Sequence, residues 1–239
     1  MTRIEKSKES MRPWACFLAV FLSASPALSP AIGVRTAESF KEVLAGAVTK
    51  FGQIQDYQCL YESFASNGKK SETFLYKLYF SKPKQIRLEI LKGRSKGTIL
   101  LYDPGRKKVR LRIGSGLLSS LVLSMSPANK RVVDVNGHGV DHADWGWILG
   151  RHLEQVDLFT SSCLGEEPVG ERLSRVYELV SVDAARTSPI VRERVWVDVE
   201  LNVITQFQLF DRDNNLFQSS TFTDIILNPN LSRDLFKKF

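Results

Sequence analysis

The stretch ETFLYKLYFSKPKQIRLEILKGRSKGTILLYDPGRKKVRLRI, residues 72–113, decides the fold. Apolar residues recur in it at every second position, and Lys82-Pro83, Gly93–Gly97 and Pro104-Gly105 cut it into short runs. A period of two belongs to a β-strand, whose side chains alternate between the two faces of a sheet. Phe74, Tyr76, Leu78 and Phe80 share one face of Glu72–Phe80, with Thr73 and Lys77 on the other. Ile86, Leu88 and Ile90 oppose Arg87 and Glu89 in Gln85–Leu91, and Val109, Leu111 and Ile113 oppose Arg110 and Arg112 in Lys107–Ile113. Thr98–Asp103 is a further strand. Tight turns between such runs make an antiparallel meander. There is no βαβ alternation and no phosphate-binding glycine loop.

The same pattern extends outward in both directions. Upstream, Asp56–Phe64 leads into Asn67-Gly68, a hairpin signal. Downstream, Leu173–Asp183, Ile190–Glu200, Val203–Asp211 and Leu216–Leu227 read as strands, with DRDNN (211–215) as a turn. The final NPNLSRDLFKKF docks through Leu231, Leu235 and Phe236. Ahead of all strands, Val34–Ile54 carries apolar residues three and four apart, one stripe of an amphipathic helix. The sequence therefore predicts an α+β, mainly β fold: a curved antiparallel sheet covered by helices, in one domain over residues 32–239.

Two segments break the strand pattern. Ser115–Pro127 (SGLLSSLVLSMSP) is apolar and uncharged, and too short to span a bilayer. It reads as a buried loop or short helix, or as an apolar flap over a cavity. Asn136–Asp157 holds all three histidines, His138, His142 and His152. Trp145, Ile148, Leu149, His152, Leu153 and Val156 in it form one helical stripe, for which Asp141 is the expected N-cap with Asp144 at N3. Together these segments are expected to make a helical insertion at about 115–162.

The N-terminus has Arg3, Lys6, Lys8 and Arg12 before an uncharged run from Trp14 to Ser25, with small residues at Ala27, Ser29 and Ala31. Residues 1–31 read as a cleaved signal peptide, with an uncleaved anchor as the alternative; Pro26, Pro30 and Gly33 interrupt a spanning helix. Cys16 sits at the start of the apolar run rather than after it, so lipidation there is not expected. Cys59 and Cys163 are left, either bridged or free. The chain of 239 residues is 43% hydrophobic and 25% charged with net charge +7, an ordinary globular balance. Basic charge favours anionic surfaces, but no Lys/Arg cluster with interleaved aromatics suggests nucleic acid.

Three sequence features resemble the periplasmic lipoprotein-carrier superfamily, the LolA/LolB-like proteins and their lipoprotein-sorting relatives. They are FSKPKQIRLEI (80–90), GTILLYDPGRKKV (97–109) and VWVDVELNVITQFQLFDRDNNLFQSSTFTDIILNPNL (195–231) followed by the final Leu235-Phe236. The likeness runs from about Phe40 to Phe236, and the block 115–162 departs from the short carriers. The resemblance implies an incomplete β-barrel whose open side is covered by helices. It also implies an apolar cavity for lipid, acyl chain or lipoprotein, in an exported and monomeric binding protein that works with membrane surfaces or envelope partners. The lining expected on that reading is Phe74, Tyr76, Leu78, Phe80, Ile86, Leu88, Ile90, Val109, Leu111, Ile113, Trp145 and Leu149.

Catalytic patterns are absent from the sequence: no nucleophile elbow, His-Glu-x-x-His, Cys-x-x-Cys or Walker motif occurs. Hence no enzyme and no cofactor is expected. Asp183, Asp198, Glu200, Asp211 and Asp224 read as solvated or turn-forming, and Arg192 and Arg194 as an outer coat. A metal-dependent envelope enzyme using His138, His142 and His152 is the alternative, since zinc needs three or four convergent ligands. An interaction protein with no ligand is a third reading.

Overall fold

The computed structural model describes residues 38–114 and 121–239. The expected signal peptide (1–31) with Cys16, residues 34–37 of the expected first helix, and residues 115–120 of the apolar segment lie outside the described residues. In chain order the elements are α1 (Phe40–Gln53), β1 (Asp56–Ser66), β2 (Ser71–Ser81), β3 (Gln85–Lys92), β4 (Ile99–Asp103), β5 (Lys108–Arg112) and β6 (Val122–Met125). Then follow α2 (Trp145–Gln155), β7 (Phe159–Val169), β8 (Arg172–Ser181), α3 (Ala184–Thr187), β9 (Arg192–Asp198), β10 (Ile204–Phe210) and β11 (Leu216–Leu227).

All strands join one 11-stranded antiparallel sheet in the order β6-β5-β4-β3-β2-β1-β11-β10-β9-β8-β7. β6 and β7 do not pair with each other, so the sheet is an open half-barrel. Two meanders meet at its centre, where β1 pairs with β2 on one side and β11 on the other, Tyr61 lying opposite both Tyr76 and Phe222. One end of the sheet holds the β1–β2 turn, the β3–β4 turn and the start of β11; the opposite end holds the β2–β3 and β4–β5 turns.

The two long helices, α1 and α2, lie on the concave face. α1 starts in a capping box: Glu42 N donates to Ser39 Oγ (3.4 Å) and Ser39 N donates to Glu42 Oε2 (2.8 Å). Its buried stripe of Phe40, Val43, Leu44 and Ala47 crosses the sheet diagonally. Phe40 reaches Tyr177 of β8 at 5.5 Å, and Phe51 reaches Phe80 of β2 at 5.8 Å between ring centroids. α2 buries Trp145, Ile148, Leu149 and His152, with Trp145 stacked on Tyr57 at 4.1 Å. Each such apolar side chain stabilises the fold by roughly 1.5–3 kcal/mol.

The structure corrects several expectations. The N-cap of α2 is Asp144, which accepts from Trp147 N at 3.3 Å; Asp141 sits three residues earlier in a 3-10 turn, Val140–His142. Asp144 is 2% exposed, and a buried carboxylate needs the helix amide and the Lys84 ammonium at 3.4 Å more than Asp141 does. The expected helical insertion is helical only in its later part. Val122–Met125 is an edge strand on β5, and residues 159–162 already belong to β7. β6 packs Leu123 and Met125 inward but is only four residues long, too short to register as alternation, whereas β7 (FTSSCLGEEPV) buries only Val169, and Glu166, Glu167, Pro168 and the bulge at Cys163/Gly165 blunt it against further pairing. The short helix α3, capped by Asp183, was not expected. Cys59 and Cys163 are both free thiols.

The charged outer face of β3 is not solvated throughout. Arg87 is only 7% exposed, because the C-terminal tail lies over it. Its Nη1 donates to Leu235 O (3.0 Å) and Lys238 O (2.8 Å), and Arg110 Nη2 donates to Lys237 O at 2.8 Å. Phe236 is buried, whereas Leu231 and Leu235 are half-buried. Asp56 holds the start of the tail by accepting from Asn230 N and Leu231 N at 3.2 and 3.0 Å.

Candidate functional site

The concave face is divided along the strands. Towards the β2–β3 turn it is filled: Leu78, Phe80, Ile86, Val109, Trp145 and Leu149, all expected as lining, are packed at 5% exposure or less in the helix–sheet core. Towards the β1–β2 and β3–β4 turns the helices do not reach, and a groove of about 400 Å³ opens. Phe74, Tyr76, Leu88, Ile90, Leu111 and Ile113, the other six expected residues, line it. What separates the two sets is their place along each strand rather than their face, which alternation alone does not encode.

Sequence reasoning did not single out Tyr61, Phe207 and Leu209, which extend the lining across β1 and β10. Tyr61 stacks with Phe222 at 4.9 Å and Tyr76 at 5.5 Å, and shares a hydrogen bond with Ser220 (3.2 Å). Burial raises the phenols of Tyr61 and Tyr76 above their usual range. The roof is the loop before α2, with Val132, Val140 and Ala143, continued by Trp147 in the first turn of α2. Trp147 lies off the apolar stripe of α2, so only its size and its place in the loop–helix junction hinted at a role.

Polar contacts fix that roof. Asp134 Oδ1 accepts from Asn136 N (2.8 Å) and His138 N (2.9 Å), while Gln218 Nε2 donates to Asp134 Oδ2 at 3.3 Å. Asn136 Nδ2 donates to Phe217 O (2.9 Å) and Gln218 Oε1 (2.8 Å), and Asn67 Nδ2 donates to Val135 O (3.4 Å). The loop is thereby tied to β11 and to the β1–β2 turn. Burial would raise the Asp134 carboxyl, but hydrogen bonds and the charge of His138 outweigh it and hold it below the usual range.

The three histidines do not converge. His142 stacks on Trp147 at 4.6 Å, and His138 meets both rings edge-on at 5.7 Å, so these two line the groove. His138 Nδ1 is 3.4 Å from Asp134 Oδ2, near enough for attraction but off hydrogen-bond geometry. Burial pushes the His142 imidazole below its usual range, against the opposing pull of Asp141. His152 instead sits beneath α1, with Nε2 2.9 Å from Glu193 Oε1 and Nδ1 2.8 Å from Ile148 O. Among the described residues no three His, Cys, Asp or Glu side chains are grouped to hold a metal ion.

Glu193, unremarked between Arg192 and Arg194, is 1% exposed and faces the core. Arg151 grips it with both Nη atoms, at 2.6 and 3.0 Å. Burial alone would raise its carboxyl; Arg151 and His152 reverse that and bring it down to about 2. This trio floors a second cavity of about 340 Å³ beside α1, β7 and β8. The other carboxylates organise turns. Asp183 and Asp211 accept backbone amides, and Asp198, expected as solvated or turn-forming, organises its turn by accepting from the amides of Glu200 and Leu201 while 2% exposed beside Arg172.

No protein-family model matches this chain, and no curated protein matches it. Solved structures do. Lipoprotein LppX of Mycobacterium tuberculosis aligns at 6% identity and TM-score 0.49, over 81% of this chain and 99% of that one. An outer membrane lipoprotein-sorting protein domain from Vibrio parahaemolyticus aligns at 15% identity and TM-score 0.38, over 81% and 95%. A LolA superfamily protein from Nitrosomonas europaea aligns at 13% identity and TM-score 0.38, over 84% and 99%. These alignments stay at 15% identity or less and at TM-scores below 0.5, and the half-barrel assignment rests on the strand order given above.

Proposed function

We propose that the protein binds the apolar chain of a lipid, acyl group or lipoprotein in the groove between sheet and roof loop, and exchanges it without making or breaking a bond. The observation that carries this reading is the unfilled half of an otherwise packed concave face. Its volume of about 400 Å³ falls in the usual range for ligand sites. Its walls are aromatic and aliphatic, from Phe74, Tyr76, Leu88, Ile90, Leu111, Ile113, Phe207 and Leu209. Burying each methylene there gains roughly 0.8 kcal/mol, so a run of about eight supplies roughly 6 kcal/mol before the costs of association. On this reading the protein acts outside the cytoplasm as a monomer, taking its ligand from a membrane surface or an envelope partner.

The test is extraction of the purified protein with organic solvent followed by mass spectrometry, then incubation of the stripped protein with labelled phospholipid vesicles. A lipid recovered from the first step or taken up in the second supports the reading. Neither recovery nor uptake sinks it. Leu88→Trp, which fills the groove, is expected to abolish uptake while leaving the fold intact by circular dichroism.

A further inference from the structure

We infer that the ligand of this groove is an amphiphile with an anionic headgroup, held at the end where the groove opens between the β3–β4 turn and the roof loop; this rests on the reading above. The Lys and Arg side chains of the lining are not scattered around the groove. Arg94, Ser95 and Thr98 come from the β3–β4 turn, and Lys130 and Arg131 from the start of the roof. The contact from Asn67 to Val135 brings the roof to the same end of the sheet as that turn.

The charge at this end is unbalanced. Arg94, Lys130 and Arg131 are exposed, and the lining carries one carboxylate, Asp134. Asp134 is already occupied by two backbone amides, Gln218 and the nearby His138. Arg94 is paired with Glu72 at 3.5 Å, which leaves Lys130 and Arg131 as the cations of this end. Among the described residues neither Lys130 nor Arg131 lies within 4.0 Å of a carboxylate. Two cations beside an apolar slot attract an anion whose tail the slot can bury, and they disfavour a cationic head.

A neutral group on the page points the same way. Thr98 is 3% exposed, and its hydroxyl, buried in the lining, has no hydrogen-bond partner among the described residues. A hydroxyl buried without a partner is costly, and a headgroup oxygen would satisfy it. Close approach of the backbone keeps this corner narrow: a Cβ on Gly114 would collide with Gly97, so the end of β5 abuts the turn that carries Arg94 and Ser95. Apolar walls therefore lead from the inner groove to a small polar mouth, an arrangement matched to a head and a tail.

Calorimetric titration of the stripped protein tests this with four probes of one chain length: dodecanoate, dodecyl phosphate, dodecanol and dodecyltrimethylammonium. At least one anionic probe is expected to bind about tenfold or more tightly than dodecanol, the scale of one charge-assisted hydrogen bond. The two anionic arms separate a fatty carboxylate from a phosphate. The double variant Lys130→Ala/Arg131→Ala, both exposed positions, is expected to keep its thermal midpoint and its affinity for dodecanol while losing the anionic preference. Equal binding of all probes, or a preference that survives in the double variant, overturns the headgroup inference and leaves chain binding standing. Failure of every probe to bind overturns the proposed function and the inference together.

Discussion

At the scale of single residues, the buried pairing of Glu193 with Arg151 and His152 governs how stability responds to acid. Glu193 sits in an alternating, apparently solvated IVRERVWV, yet the inward face of β9 puts it against Arg151 and His152. Its carboxyl is depressed from 4.5 to about 2, so the folded state binds its proton later than the unfolded chain does. The stabilisation is therefore complete above about pH 4.5 and lost as pH falls towards 2. Chemical denaturation across that window is expected to show a slope that Glu193→Gln reduces. The same variant should cost about 3–5 kcal/mol at neutral pH, because it leaves Arg151 buried without its counter-charge. His142 behaves in the opposite sense. Burial lowers its imidazole, so the unfolded chain takes up the proton first, and stability is lost as pH falls below the usual histidine value of about 6.5. Proton NMR should place its titration below 6.5, and Asp141→Asn, which removes the carboxylate 4.0 Å away, should lower it further. A midpoint at or above 6.5 refutes the burial argument.

At the scale of elements, the strands that pack one face on the core were legible within a residue or two, and the edge strands were not. Alternation is a signature of one-sided burial; β7 is exposed along almost all of its length and writes no such pattern. Of the twelve residues expected as lining, six border the groove and six are packed away from it, for a related reason. Period two reports the face of a residue, whereas distance from the helices decides whether that face is packed or open. The C-terminal tail illustrates a contact invisible to hydropathy, since two arginines hold it through backbone carbonyls. Arg87→Ala should release it at a cost of about 2–3 kcal/mol, the cost of losing charged hydrogen bonds in a buried place. Limited trypsin digestion should then cut at Arg233, Lys237 or Lys238 well before the sheet. Unchanged protection in the variant would mean that Phe236, Arg110 and Asp56 hold the tail without Arg87.

At the scale of the whole molecule, the sheet is one cooperative object. Its central pairing joins β1 to β11, so neither meander has a complete partner without the other. Denaturation followed by tryptophan fluorescence and by far-ultraviolet circular dichroism should give coincident transitions. A chain ending at Asp211, which lacks β11 and the tail, should show no cooperative transition at all. Refolding should be slow for a domain of this size, because the decisive contacts are distant in sequence. That central seam also has a consequence for biosynthesis. β11 begins 150 positions after β1 ends, a gap of roughly 8–30 s at ordinary rates of translation. Throughout that interval every nascent chain carries a bare β1 edge, and the ribosome must deliver nearly the entire polypeptide before its middle can zip shut.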